Sequence, residues 1–378
     1  MATPLAIKHH FRKLKDPRIK RHKRHLLPNI IVIALCAVLC GAKDWQQIET
    51  FGKRRLDWLC RFLTNLTEVP SHDTFERVFD RIDPQAFHQC FQSWVAAIAE
   101  KLNIKHIAID GKTLRGSGSS KLGPLHLVSA WATEQHLSLG QVATAEKSNE
   151  ITAIPELLDL LELHGAIVTI DAMDCQKAIA SKIIEREGHY ALTVKDNQPT
   201  LLAEIKEKVH QALESDFTGI QYDQHMTEER GHGRTEKRHF TILIDPVGIP
   251  QQAEWENLRV VGMCARERQV GTEAATTEVS FFIGSKVMSA KRYAKVLRNH
   301  WGIENNLHWQ LDVSFAEDNN RVSKRNGAEN LALLRKLALM MLKRHPGKQS
   351  LVGKQWNAAL DPQFLEEVLL ANANADKI

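Results

Sequence analysis

HIAIDGKTLRG, from His106 to Gly116, and AIVTIDAMDCQ, from Ala166 to Gln176, decide the reading of this chain. Each is an apolar, β-branched run that ends on an aspartate. A run without polar alternation fits a strand covered on both faces in an α/β protein, and the first polar residue at its C-terminal end emerges where such a sheet presents ligands. Asp110 and Asp171 are therefore expected side by side at one sheet edge, where two like charges favour a divalent cation between them. Taken singly, each aspartate also reads as a turn residue or as the N-cap of a following helix.

A third ligand is offered by RNHWGIENNLHWQLDVSF, from Arg298 to Phe315, whose apolar residues recur at helical spacing. At i, i+4 and i+8, His300, Glu304 and His308 fall on one face of such a helix. A polar stripe facing solvent or DNA, a zinc site and a carboxylate site for magnesium all fit that spacing. The helical zinc signature H-E-x-x-H is absent, and carboxylate oxygens suit magnesium or manganese better than zinc.

The order Asp, Asp, Glu now joins IDGKTLRGS, KSNEITAIPELL, DAMDCQK, VKDNQ, HGRTEKRHF, RNHWGIENNLHWQLDVSFAED and NGAENLALLRKLALMMLK. This ordered set resembles the H-repeat-associated protein family of bacterial insertion-sequence DDE transposases. LPNIIVIALCAVLCGAKDWQQIETFGKRRLDWL with PSHDTFERVFDRI is similar to the helical module that precedes the catalytic domain there. The resemblance implies an α/β protein, a ribonuclease-H-like core with a β-rich insertion, preceded by an all-helical N-terminal domain. On this sequence it implies a basic arm over 1–25, the helical domain over 26–103, the first part of the core over 104–216, the insertion over 217–285, the second part of the core with the Glu304 helix over 286–345, and a C-terminal tail over 346–378.

The same resemblance implies that Asp110, Asp171 and Glu304 are the catalytic and metal-binding residues, holding two Mg2+ (or Mn2+) ions in each active site. The activity implied is binding of insertion-sequence ends with metal-dependent DNA strand cleavage and strand transfer. The partners implied are double-stranded DNA, as terminal inverted repeats and as target, and a second copy of the chain on paired ends. Related transposases carry a Tyr, an Arg and a Lys around the glutamate. Here Leu297 stands in the tyrosine's place and His308 and Leu311 follow, so Arg298, His300 and His308 are the expected substitutes at phosphates. Alternatives are a structure-specific nuclease of the same fold and a catalytically silent DNA-binding relic. A tyrosine recombinase fits less well, since none of Tyr190, Tyr222 and Tyr293 sits in an arginine-flanked setting.

Composition agrees without deciding the matter. The chain has 378 residues, 43% hydrophobic and 25% charged, with 50 Lys+Arg against 45 Asp+Glu, a formal net charge of +5. That allows two or three domains and a substantial core. The distribution of charge says more: Lys8, Arg12, Lys13, Lys15, Arg18, Lys20, Arg21, Lys23 and Arg24 face the single acid Asp16. Such a block reads as a solvated arm or as a phosphate-neutralising one, with Arg18 and Arg21 as DNA contacts. ERGHGRTEKRHF reads as a basic β-turn in the insertion, with Arg230, Arg234 and Lys237 toward DNA, or as a solvated hairpin tip. Lys112 and Lys195 are expected to border the same groove.

Cys36, Cys40, Cys60, Cys90, Cys175 and Cys264 form no C-x-x-C pair, which suits reduced thiols in a cytoplasmic protein, one expected at the nucleoid when bound to DNA. The apolar run from Leu26 to Ala42 is too short and too interrupted to span a membrane, and it lacks the look of a signal peptide. Helices are expected at Ile30–Leu39, Trp45–Leu63, His72–Arg81 and Pro84–Leu102, with Ser71 and Asp83 as N-caps. Strands follow at His106–Asp110, Leu125–Thr133, Leu137–Ala145, Ala166–Ile170 and Tyr190–Val194, with helices at Ile151–Leu163, Cys175–Glu187 and Pro199–Leu213. Further strands are expected at His239–Ile244, Leu258–Arg266 and Thr277–Ile283. The glycine-rich stretch after Asp110 invites an ATPase reading, but Ala172 and Met173 after the second aspartate offer nothing to cradle a phosphate, and no P-loop spacing is present.

Overall fold

The computed structural model describes residues 9–19, 23–99, 102–118, 123–144, 150–231, 233–322 and 324–371. Arg21 and His232 lie outside the described residues. The strands are β1 His106–Leu114, β2 Leu125–Ala132, β3 Leu137–Thr144, β4 Ile167–Ile170, β5 His189–Val194, β6 Tyr222–Gly231, β7 Arg234–Ile244, β8 Val260–Val270 and β9 Thr276–Gly284. Two compact units divide the chain: one holds residues 1–103, 111–149 and 304–378, the other residues 104–110 and 150–303.

In the first unit the helix Leu27–Leu39 is apolar on every side, so it must be covered all round. Every residue in it except Pro28 is buried, and Pro28 occupies the first turn, where its missing N–H costs nothing. It packs on the 20-residue helix Arg325–Arg344, whose stretch from Leu331 to Leu342 is likewise buried. Buried amides in this helical core are satisfied: Asn29 donates to the Thr64 carbonyl at 2.9 Å, and Asn330 donates to those of Phe79 and Ile82. Left unmade, each such bond would cost about 1–3 kcal/mol. β2 runs antiparallel to β3 and lies next to β1. Buried Lys336 fastens the long helix to this ribbon by donating to Ser129 Oγ at 2.6 Å and Gln141 Oε1 at 2.7 Å. Burial holds its ammonium down to about 8.

Local chemistry departs from expectation in three places. The stretch from Trp45 breaks at Arg55 into the helices Trp45–Arg54 and Leu56–Cys60. Ser71 precedes the helix His72–Phe79, but its hydroxyl meets Thr74 Oγ1 at 3.1 Å instead of capping a backbone N–H. The stretch after 345, read as a tail, carries the helices Leu351–Leu360 and Pro362–Ala371, the first capped by Ser350 and the second anchored where Trp58 Nε1 donates to Glu366 at 2.7 Å.

In the second unit the strand order runs β1-β4-β5-β9-β8-β7-β6. β1, β4 and β5 are parallel and the remaining pairs antiparallel. All four residues of β4 are buried, as a strand covered on both faces requires. β6, not expected as a strand, is the edge, and its exposed Glu228, Glu229 and Arg230 discourage pairing with another chain. Gly262 is bare because a Cβ there would lie 2.3 Å from the Phe282 ring. Among the described residues no helix is long and apolar enough to cross a membrane.

Candidate metal centre

β1 and β4 pair in parallel with Ile109 opposite Ile170, so the next residue on each, Asp110 and Asp171, stands at the same end of the pair. Asp110 is half-buried and Asp171 exposed. The Asp171 carboxylate accepts from the Ala172 N–H at 2.6 Å and caps the short 3-10 turn Ala172–Asp174, which is the capping reading of this aspartate.

Two further carboxyls, Glu150 and Asp174, share this neighbourhood. Asp174 is buried, and that burial, then its hydrogen bond to Glu150, then the charges of Glu150, Asp171 and Asp110, push its carboxyl up to about 8. The strand edge thus carries more negative charge than it can hold ionised, which is the electrostatic condition for binding a cation. In sequence Asp174 reads as a nearby carboxylate outside the triad, one 3-10 turn after Asp171, while Glu150 gives no signal.

Because the folded pKa of Asp174 is raised above its ordinary 3.8, its contribution to stability is complete at low pH and is lost as pH rises toward about 8. Asp174→Asn is therefore expected to gain stability over the parent as pH rises from about 4 to about 8. Denaturant unfolding of both proteins at the two ends of that window measures it, and a difference independent of pH would contradict the crowding described.

The glutamate segment is not one continuous α-helical face. The α-helix Ala290–His300 ends at the histidine, and Glu304–His308 forms a π turn ahead of the short helix Trp309–Val313. Gly302, a poor helix former, lies between. Single π turns of this kind recur at functional sites. His300 Nδ1 lies 3.1 Å from Thr169 Oγ1, a hydroxyl that also meets His106 Nε2 at 2.9 Å. Within the π turn, residues four apart remain neighbours: buried His308 brings Nδ1 to 3.3 Å from Glu304 Oε2, while Glu304 is exposed. On this turn Glu304 and His308 offer a carboxylate oxygen and an imidazole nitrogen, donors of the kinds that divalent cations accept.

A family model described as Transposase DDE domain matches residues 101–341, and one described as DDE_Tnp_1-associated matches residues 8–95. This chain belongs to the DDE transposase family. It is 40% identical over 362 residues to the putative transposase YncI of Escherichia coli O157:H7, covering 94% of this chain and 92% of that protein. It is 37% identical over 367 residues to the H repeat-associated putative transposase YhhI of Escherichia coli strain K12, covering 95% and 96%. A solved piggyBac transposase synaptic complex with hairpin DNA matches at TM-score 0.47 and 11% identity over 97% of this chain and 81% of that one, too distant to add to the family assignment.

Several residues expected to face DNA in this transposase are already held by acids. Lys112 has only 10% of its side chain exposed and bonds Asp312 at 2.7 Å, Asp318 at 3.0 Å and Glu317 at 3.2 Å. Burial alone would lower its pKa, but Glu317, Asp312 and Asp318 outweigh that and keep the ammonium charged, above the usual lysine range. The glycine-rich stretch beyond it closes on the chain: a Cβ at Gly116 would lie 2.3 Å from the Asn320 carbonyl oxygen, so this glycine permits backbone packing. Arg298 donates to Glu229 at 2.7 Å, and Arg230 to Glu228 at the same distance. Arg234 on β7 is exposed, 3.9 Å from Glu236, and Lys237 on the same strand is half-buried. Lys195, just past β5, is exposed. Arg18 bonds Asp16 and the His25 carbonyl, while Phe11 and Leu14 are buried, so the described part of the basic stretch is anchored and not a free arm.

Proposed function

We propose that this transposase binds insertion-sequence ends as duplex DNA and catalyses metal-dependent strand cleavage and strand transfer, with Asp110, Asp171 and Glu304 as the catalytic residues. The observation that carries the reading is the register of Ile109 with Ile170, which puts two aspartates at one sheet edge; burial and the carboxyls around it raise the pKa of neighbouring Asp174. Parallel pairing of β1, β4 and β5 in the second unit and antiparallel pairing of β2 with β3 in the first support a ribonuclease-H-like core over 104–216 and 286–345, with 217–285 as its β-rich insertion and 26–103 as the helical domain.

In this reading the three carboxylates hold magnesium or manganese, and His308 is a positioning residue that fixes the Glu304 carboxylate through Nδ1. Bound in that site, the cations would supply the Lewis acidity that stabilises the entering and leaving oxygens of an in-line phosphoryl transfer. Asp110 and Asp171 set where a phosphodiester is held, and no protein nucleophile is required. The partners are the terminal inverted repeats, target DNA and a second copy of the chain on paired ends. The six free cysteines suit a reducing, cytoplasmic setting.

Incubation with magnesium and DNA carrying the flanking inverted repeats tests the function. Nicked ends followed by joined products are expected. Nicks without joining would make the protein a nuclease, and neither product would make it a DNA-binding relic.

A further inference from the structure

A cavity of about 420 Å³ opens in the helical region of the first unit, lined by Arg18, Arg24, Arg77 and Arg81 together with His25, Ser71 and Thr74. Among the described residues Glu68 is the single acid in its wall, 3.9 Å from Arg24 and 3.8 Å from His25. Arg18 is braced by Asp16 at 2.9 Å with 15% of its side chain exposed, whereas Arg24 and Arg77 are 81% and 63% exposed. Braced and solvent-exposed guanidiniums thus line one cavity with two hydroxyls. Among the described lining residues the apolar ones are Val69 and Val78, and none is Phe, Tyr or Trp. Guanidinium forks match phosphate oxygens, and contacts of this kind orient nucleic acid without reading its sequence.

We infer that this cavity is a second DNA contact, remote in sequence from the carboxylates, that takes the phosphate backbone of duplex DNA through Arg24, Arg77 and Arg81. The inference rests on the reading of the chain as a DNA transposase and adds to it where the helical region grips its substrate. Burial is the main cause holding the His25 pKa below its ordinary value; Glu68 opposes it, while Arg18 and Arg24 act with it, so the positive charge of this wall comes chiefly from the arginines.

The test is fluorescence anisotropy of labelled duplex DNA with the full chain across a series of salt concentrations, comparing the parent with Arg77→Gln/Arg81→Gln and with Arg77→Lys/Arg81→Lys. Both side chains are exposed on the helix His72–Phe79 or just past it, so thermal unfolding followed by circular dichroism should match the parent and serve as the folding control. Loss of two phosphate contacts is expected to reduce the slope of log K against log salt by roughly 1.8 and to weaken binding roughly 10- to 100-fold near 0.1 M salt. The loss should be equal for inverted-repeat and unrelated duplexes, and the lysine pair should restore the slope. An unchanged slope in the glutamine pair, while the parent binds DNA, would overturn the cavity assignment alone. A parent that binds no duplex would overturn the functional reading and the cavity with it. Binding of inorganic phosphate to the parent, abolished in the glutamine pair while DNA affinity stays unmoved, would make this a free-phosphate site and also overturn the inference.

Discussion

Asp110→Asn, Asp171→Asn and Glu304→Gln are each expected to lose strand cleavage by roughly 10³-fold or more, about 4 kcal/mol of transition-state stabilisation. Each change preserves shape but removes the anionic oxygen that a hard cation requires. Affinity for duplex DNA should stay within about threefold, because phosphate binding belongs to cations elsewhere on the chain. Asp318→Asn is the matched control: it alters a partly exposed partner of Lys112 and should keep most activity. Gel analysis of nicked end DNA, paired with anisotropy for binding, separates the two properties. Full cleavage by any one of the three variants would sink the assignment.

Lys112→Ala is expected to be the most destabilising single change near the site, by about 3–5 kcal/mol, because it strands a buried charge. Glu317 is only 2% exposed and pairs with the Lys112 ammonium at 3.2 Å, with Asp312 and Asp318 around the same nitrogen and the buried cations Arg335 and Lys336 also in electrostatic reach of Glu317. Denaturant unfolding measures the loss, and Lys112→Arg, which keeps the charge, should recover part of it. Unchanged stability accompanied by a large drop in DNA affinity would return Lys112 to the DNA groove that its position beside Asp110 suggests.

The contrast between Asp110 and Lys112 shows where sequence is informative. β1 and β4 could be read because strands buried on both faces tolerate nothing polar, so the first aspartate after each run marks the sheet edge. Lys112, two residues on, reads in sequence as a DNA contact because its partners lie some two hundred positions away, where no local pattern points back to it. Arg298 is similar: Glu229, which binds it, sits on β6, a strand whose charged alternation reads as solvated loop. Periodicity correctly paired Glu304 with His308, since four residues separate neighbours in a π turn nearly as in an α-helix, but it carried the face back to His300, beyond the break near Gly302. Crowding of Asp174 against Glu150 is a tertiary effect with no local signature. The helical start of the chain was legible from its apolar run, whereas the cavity between the Arg18 region and the His72–Phe79 helix depends on how Phe11 and Leu14 anchor the basic stretch.

Manganese binding measured by isothermal titration calorimetry in the absence of DNA tests the central claim most directly. The parent is expected to bind Mn2+ saturably at neutral pH, with proton release as Asp174 gives up its proton, and magnesium should compete for the same site. Asp110→Asn and Asp171→Asn should abolish that binding and Glu304→Gln should weaken it strongly, with each variant still folded. Equal manganese binding by the parent and by Asp110→Asn would contradict the assignment of this strand edge as the metal centre.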